Sequence, residues 1–266
     1  MKDLKGKTAL ITGGGTGIGL ALALQLAEQG TNIIISSTSK DRLNAGANKI
    51  REAYPNVKVL DIVCDVSDRA AVKNLKSEIT KDELQVDILV CNSGVTTSGP
   101  FHEHREEDWD WIYGVVLHGT TYCIQEFYPD MVARKSGHIV ISGSQAGMVP
   151  NWVTLHGPYT SAKAAVHALG AALRPEAAAY GVGVTTVVIA GTQTEIMMSE
   201  RSRPERFGEP LKVEVSTRAA RRIPAEDVGR QILEGIREDR GWVATHPDLK
   251  DRTKQFFDEI LKAYDH

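Results

Sequence analysis

Thr8-Ala9-Leu10-Ile11-Thr12 is a short apolar run that passes without a break into Gly13-Gly14-Gly15-Thr16-Gly17-Ile18-Gly19. An amphipathic stretch follows through Leu22, Leu24, Leu26 and Ala27 and stops at Gly30. Strand, glycine turn and helix in immediate succession leave few folds open. Glycine permits the tight turn and the close approach of backbone to a ligand. The helix puts free N–H groups and partial positive charge at the turn, which suits a pyrophosphate. A merely flexible loop would not need that helix, so the segment reads as the first βα unit of a nucleotide-binding sheet.

The rest of the chain repeats the alternation. Apolar strands are expected at Asn32–Ser36, Val57–Val63, Val86–Cys91, His138–Ser142, Val182–Ile189 and Gly241–Ala244. Helical patterns lie between them: one from Asp68 with Val72, Leu75 and Ile79 on a single face, a long one from about Glu106 to Lys135, one from Tyr159, one over Asp227–Arg237 and a last one over Asp251–Tyr264. Such alternation implies a parallel sheet covered on both faces, with ligands bound beyond the carboxyl ends of the strands. The fold class expected is α/β: a doubly wound, about seven-stranded parallel sheet in one domain over 1–266. Residues 190–224 break the pattern. They are polar and arginine-rich, carry Pro204, Pro210 and Pro224, and read as a substrate lid with some helix over Thr194–Arg201.

Charge and composition exclude several classes. The net charge of -3 gives no reason to expect nucleic acid or an anionic membrane as partner. No apolar run approaches the roughly 20 residues that span a bilayer. The N-terminus enters a strand almost at once, so no signal peptide is expected. Cys64, Cys91 and Cys123 are far apart and lack metal spacing, so they read as small buried residues in a reducing cytoplasm, with no metal site.

Two local patterns carry chemistry. In dinucleotide folds a carboxylate at the tip of the second strand binds the 2′-hydroxyl of NAD, whereas a basic residue accepts the 2′-phosphate of NADP. Here the tip reads Ser37-Thr38-Ser39-Lys40, with Arg42 soon after and no carboxylate, so NADP(H) is favoured over NAD(H). Further along, Tyr159 and Lys163 are four apart in Tyr159-Thr160-Ser161-Ala162-Lys163 and share a helix face. A cation beside a phenol favours the phenolate and moves its pKa towards the range useful for proton transfer.

These motifs, in this order, resemble those of the short-chain dehydrogenase/reductase family along nearly the whole chain. Thr12-Gly13-x-x-x-Gly17-Ile18-Gly19 is similar to the family's cofactor motif, with Thr16 inside it. Asp65, followed by Val66, resembles its adenine-binding Asp, and Asn92-Ser93-Gly94 resembles its Asn-Ala-Gly. Ser144, Tyr159 and Lys163 match its catalytic Ser, Tyr and Lys. The resemblance implies a Rossmann-type fold and a hydride-transferring enzyme. Tyr159 would serve as general acid or base, Lys163 would lower its pKa and bind the nicotinamide ribose, and Ser144 would hold the substrate oxygen. Gly191 and Thr194 would hold the carboxamide, with the Ile189 backbone facing the nicotinamide.

Three departures stand out. Val116 falls where the family carries an Asn that anchors a proton-relay water, and His118 lies on another helix face. Ala190 replaces a Pro. The interval from Ser144 to Tyr159 is about two residues longer than expected. That interval and the tail Ala244-Thr245-His246-Pro247 resemble a subgroup that includes enzymes acting on benzylic and other hydrophobic alcohols. The expectation is an NADP-preferring oxidoreductase of secondary alcohols and ketones, with Met148, Val149, Trp152, Met197 and Met198 as apolar pocket candidates and His156 as a loop residue. The family resemblance implies a homotetramer, and the alanine face Ala164, Ala168, Ala171 and Ala172 suits close helix packing. The alternative is a catalytically weak nucleotide-binding sensor or scaffold of the same fold.

Overall fold

The computed structural model describes residues 1–209 and 221–265. Its first half runs β1 (Thr8–Thr12), α1 (Gly17–Glu28), β2 (Asn32–Ser37), α2 (Lys40–Ala53), β3 (Val59–Val63), α3 (Arg69–Lys81) and β4 (Ile88–Cys91). The second half runs α4 (Glu106–Tyr113), α5 (Gly119–Ala133), β5 (Gly137–Ser142), α6 (Gln145–Met148), α7 (Gly157–Ala178), β6 (Val182–Val188), α8 (Ala225–Glu238), β7 (Trp242–Ala244) and α9 (Lys250–Leu261). The seven strands form one parallel sheet in the order β3-β2-β1-β4-β5-β6-β7.

The strands are apolar at consecutive positions because both faces of the sheet are covered. Successive side chains point to opposite faces, so neighbours enter different cores. Leu10, Ile34, Leu89 and Ile139 pack with Val72, Leu75, Trp111, Phe127 and Val166 from α3, α4, α5 and α7. Ile11, Ile33, Val90 and Val140 pack with Leu22, Leu26, Ile50, Val228 and Ile232 from α1, α2 and α8. β1 has β2 on one side and β4 on the other, so the strand order reverses there. That reversal opens a crevice beyond the carboxyl ends, where such sheets bind ligands.

The long helical stretch expected from Glu106 to Lys135 is divided by a π-helical turn, Gly114–His118, between α4 and α5. The Gly119 N–H reaches back five residues to the Gly114 carbonyl, and the Thr120 hydroxyl donates to the Val116 carbonyl at 2.8 Å. The two ends of the segment expected as a lid are tied together: Gln193 N–H donates to the Ile223 carbonyl at 2.9 Å and Ile223 N–H to the Gly191 carbonyl at 3.0 Å. The helix expected over Thr194–Arg201 is a 3₁₀ helix, Ile196–Ser202, and a further 3₁₀ turn, Glu205–Phe207, follows it. The part of the expected lid at 210–220, which includes Pro210, lies outside the described residues.

His138 in β5 is 1% exposed and hydrogen-bonds Thr185 Oγ1 at 2.8 Å. Burial pushes its imidazole down from 6.5 to about 4. Between those values the unfolded chain binds the proton that the folded chain refuses, so stability falls as pH drops through the window. The shift predicts a loss of about 2 kcal/mol between pH 7 and pH 5, read from urea unfolding, with a shallower pH slope in His138→Gln.

Candidate active site

At the end of β1 the chain turns through Gly13 and Gly17, whose φ angles of 65° and 54° lie in the left-handed region that favours glycine. Thr16 precedes α1, and its side chain makes no capping hydrogen bond, so the first N–H groups of the helix stay open towards the crevice. Gly19 lies behind the turn. A Cβ there would come within 2.4 Å of the Gly13 carbonyl oxygen, so this glycine lets helix and turn pack together. Thr12 and Asn92 join the neighbouring strand ends. The Thr12 hydroxyl accepts the N–H groups of Asn92 and Ser93, both at 3.0 Å, and Asn92 Nδ2 donates to the Thr12 carbonyl at 3.1 Å.

A cavity of about 1210 Å³ runs from this turn across the carboxyl ends of the strands. Gly13, Thr16, Gly17, Ile18, Ser37, Thr38, Asp65, Val66, Asn92 and Gly94 line it towards β1 and β2. Ser144, Tyr159, Lys163, Gly191 and Thr194 line it as well, with the Thr194 side chain against Gly17 of the turn. Gly19 and Lys40 are not in its wall. Lys40 is exposed at the start of α2, and the cavity-facing side of that helix carries Arg42, Ala45, Gly46 and Lys49 instead. The sequence reading passed over Lys49. Its signal is the helical spacing from Arg42, two turns on along one face.

These features fit a dinucleotide: left-handed glycines at the turn, an uncapped helix start, and a long crevice with cations beside the β2 end. Asp65 accepts from the Ser67 hydroxyl at 2.6 Å and from Arg206 Nη2 at 2.6 Å. Burial raises its carboxyl, but Ser67 and Arg206 together hold it below its ordinary value.

β5 and α7 bring the three expected catalytic residues together. Ser144 is 8% exposed, and its Oγ caps α6 by accepting the Ala146 N–H at 3.1 Å. Lys163 Nζ donates to the Ser142 carbonyl at 2.7 Å and lies 5.7 Å from the centre of the Tyr159 ring. Burial lowers the Lys163 ammonium to about 8. The expected lowering of the Tyr159 pKa by Lys163 does not emerge. Burial raises the phenol above its ordinary value, with the Ser144 hydroxyl pulling the other way. The physical reason is burial, which disfavours the charged phenolate and outweighs the Ser144 hydroxyl. Tyr159 is therefore a protonated acid at neutral pH.

Several smaller expectations are also placed. Val116 is 1% exposed and packed in the core, and His118 is exposed beside Tyr122. His156 is a buried tie: Nδ1 lies 3.2 Å from Thr96 Oγ1 and 3.0 Å from the Thr97 carbonyl. The Ile189 carbonyl accepts the Gln145 N–H at 2.7 Å, which engages the backbone expected to face a nicotinamide. Met197 lines the cavity, whereas Met148, Val149 and Met198 do not, and the Trp152 side chain lies outside the described residues.

The segment after β6 packs through contacts no local pattern announces. Ser199 Oγ accepts the Thr96 N–H and donates to the Thr96 carbonyl, both at 2.9 Å. Arg203, with a side chain 2% exposed, meets the fully buried Asp108 of α4 at 2.6 Å and lies over the Trp111 ring. Arg206 meets Asp65.

The family model described as short chain dehydrogenase matches residues 7–205. The C alpha-dehydrogenase of Sphingobium sp. (strain NBRC 103272 / SYK-6) is 27% identical over 99% of this chain and 88% of its own. A short chain dehydrogenase/reductase from Burkholderia phymatum, solved in complex with NAD, superposes with a TM-score of 0.90 at 28% identity, covering 99% of this chain and 97% of that one. A short-chain dehydrogenase from Sphingobium yanoikuyae, solved in complex with NADPH, shares the fold with a TM-score of 0.78 at 24% identity, covering 97% and 95%. In the described residues no helix is long and apolar enough to cross a membrane.

Proposed function

The chain belongs to the short-chain dehydrogenase family of nicotinamide-dependent oxidoreductases, and we propose that it interconverts a hydrophobic or aryl secondary alcohol and its ketone with NADP(H) preferred over NAD(H). The observation that carries this reading is the meeting of Ser144, Tyr159 and Lys163 in one cavity that begins at the glycine turn.

The bound nicotinamide supplies the hydride in reduction and accepts it in oxidation. The open N–H groups of α1 hold the pyrophosphate, and Asp65, Val66, Asn92 and Gly94 hold the adenosine. Lys163 holds the nicotinamide ribose, and Gly191 and Thr194 the carboxamide. Ser144 donates to the ketone oxygen, and Tyr159 delivers the proton that this oxygen takes up as its carbon is reduced. In oxidation the same phenol oxygen receives the proton. Val95, Val153, Leu155, Ile196 and Met197 give the cavity an apolar wall for the substrate's substituents. Ser144→Ala is expected to lower kcat by ~10²–10³ with little change in cofactor affinity, read from steady-state rates.

Ser37, Thr38, Arg42 and Lys49 support the preference for the 2′-phosphate, with Lys40 placed outside the wall. Nicotinamide fluorescence titrations with NADPH and NADH test it. NADPH is expected to bind more tightly, and Arg42→Ala to weaken NADPH by about tenfold while leaving NADH nearly unchanged. Tighter binding of NADH would overturn the assignment. The C alpha-dehydrogenase relative and the alcohol/ketone reading are compatible, since its name describes a dehydrogenase.

The free, buried cysteines accord with a reducing cytoplasm. Ala168, Ala171 and Ala172 are exposed on α7 and offer a flat face for the homotetramer, which light scattering checks; a monomer would refute it. A sensor or scaffold of the same fold is the second reading, favoured by Val116, which puts no polar side chain at the relay position.

A further inference from the structure

Tyr159, Lys163 and His167 are spaced four apart on α7 and lie along one face. The first two serve the proposed chemistry, while His167 has no part in it so far. Its imidazole is 6% exposed and is wedged between the β5–α6 turn and the Trp242 ring, whose centre is 5.7 Å away.

The turn at the end of β5 is gripped at two points by α7. The Ser142 carbonyl accepts Lys163 Nζ at 2.7 Å, and the Ser144 N–H donates to His167 Nε2 at 3.1 Å. Between them the chain bends sharply, with the Gly143 N–H returning to the Ile141 carbonyl at 3.1 Å. A Cβ on Gly143 would lie 2.0 Å from His167 Nε2, so the ring occupies the space that any other residue there would fill. Ser144 stands at the N-cap of α6, where its own N–H has no partner in the helix ladder. Buried and without His167, that N–H would lack an acceptor.

We infer that His167 is a positioning residue: its Nε2 lone pair fixes the Ser144 backbone, and with it the hydroxyl, opposite Tyr159 of the same helix. An accepting Nε2 places the ring proton on Nδ1 and keeps the imidazole neutral. Burial and the Lys163 ammonium favour the same neutral form. One rigid helix then sets all three members of the site, Tyr159 and Lys163 directly and Ser144 through His167. The proposal rests on the reading that Ser144 holds the substrate oxygen.

Two experiments test it. Nitrogen NMR of the imidazole needs no substrate: His167 is expected to show a bare Nε2 and a protonated Nδ1 at neutral pH, and a protonated Nε2 overturns the proposal. In turnover, His167→Leu is expected to lower kcat by roughly 10–100-fold while KM and NADPH affinity stay within about threefold. His167→Gln offers an amide oxygen as acceptor and is expected to recover most of that loss. Added to Ser144→Ala, His167→Leu is expected to cost nothing more. Wild-type kcat in His167→Leu, beside an impaired Ser144→Ala, overturns the positioning role and leaves the functional reading intact. A fully active Ser144→Ala removes the serine's role and the proposal with it.

Discussion

Tyr159→Phe is expected to lose turnover by ~10³-fold or more while NADPH affinity changes by less than about twofold. The substitution removes one oxygen and leaves the ring that packs against the Lys163 chain and the core. The other polar side chains named in the site have partners of their own. Lys163 donates to the Ser142 carbonyl, His156 bonds the Thr96 hydroxyl and the Thr97 carbonyl, and Ser144 accepts the Ala146 N–H. Burial holds the Tyr159 phenol above its ordinary value, so it carries its proton at neutral pH. Affinity is expected to be spared because the residues proposed to hold the cofactor at the turn, Asp65 and Asn92 keep their side chains in the variant. Rates and fluorescence titrations on the same preparation separate the two effects.

Arg203→Ala is expected to destabilise the protein by roughly 3–5 kcal/mol, as breaking one side of a buried ion pair does. Asp108 is fully buried and Arg203 nearly so, 2.6 Å apart. Burial raises the Asp108 carboxyl, and the backbone and side chain of Arg105 together with Arg203 hold it below its ordinary value. Without Arg203 that carboxylate keeps only its bonds to Arg105, on the rim of α4. The guanidinium also donates to the Phe207 carbonyl at 2.6 Å and covers the Trp111 ring, so the segment around Arg203 loses its anchor on α4. Denaturant unfolding reads the loss. Replacing both partners, Asp108→Leu with Arg203→Met, is expected to restore much of it, because the pair's desolvation cost disappears along with its attraction.

What could be read from the sequence was local and periodic. The run Thr8–Thr12, the glycines after it and the apolar stripe to Ala27 depend on nearest neighbours, and they fold as expected into β1, the turn and α1. The same holds for Asn92 at the end of β4 and for Tyr159 and Lys163, whose spacing fixes a common face in any helix. What the sequence hid depends on helix phase or on contacts between distant segments. Lys40 and Arg42 look alike as a basic pair, and only the orientation of α2 turns Arg42 and Lys49 inward. The Tyr159 phenol is raised by burial among segments distant in sequence, so the sign of its shift was not legible. Asp108 and Arg203 reside in segments joined only by the folded lid. His167 sat in plain view on the catalytic stripe, but the N–H it accepts comes from another element.

The central claim is hydride exchange controlled by Tyr159, and turnover over a panel of aryl and aliphatic ketones tests it most directly. The purified protein is mixed with NADPH or NADH, and nicotinamide absorbance is followed in the native chain and in Tyr159→Phe. Oxidation of NADPH with at least one hydrophobic ketone is expected from the native chain, and none above background from the variant. Tight cofactor binding with no oxidation across the panel, or equal turnover by Tyr159→Phe, would contradict it.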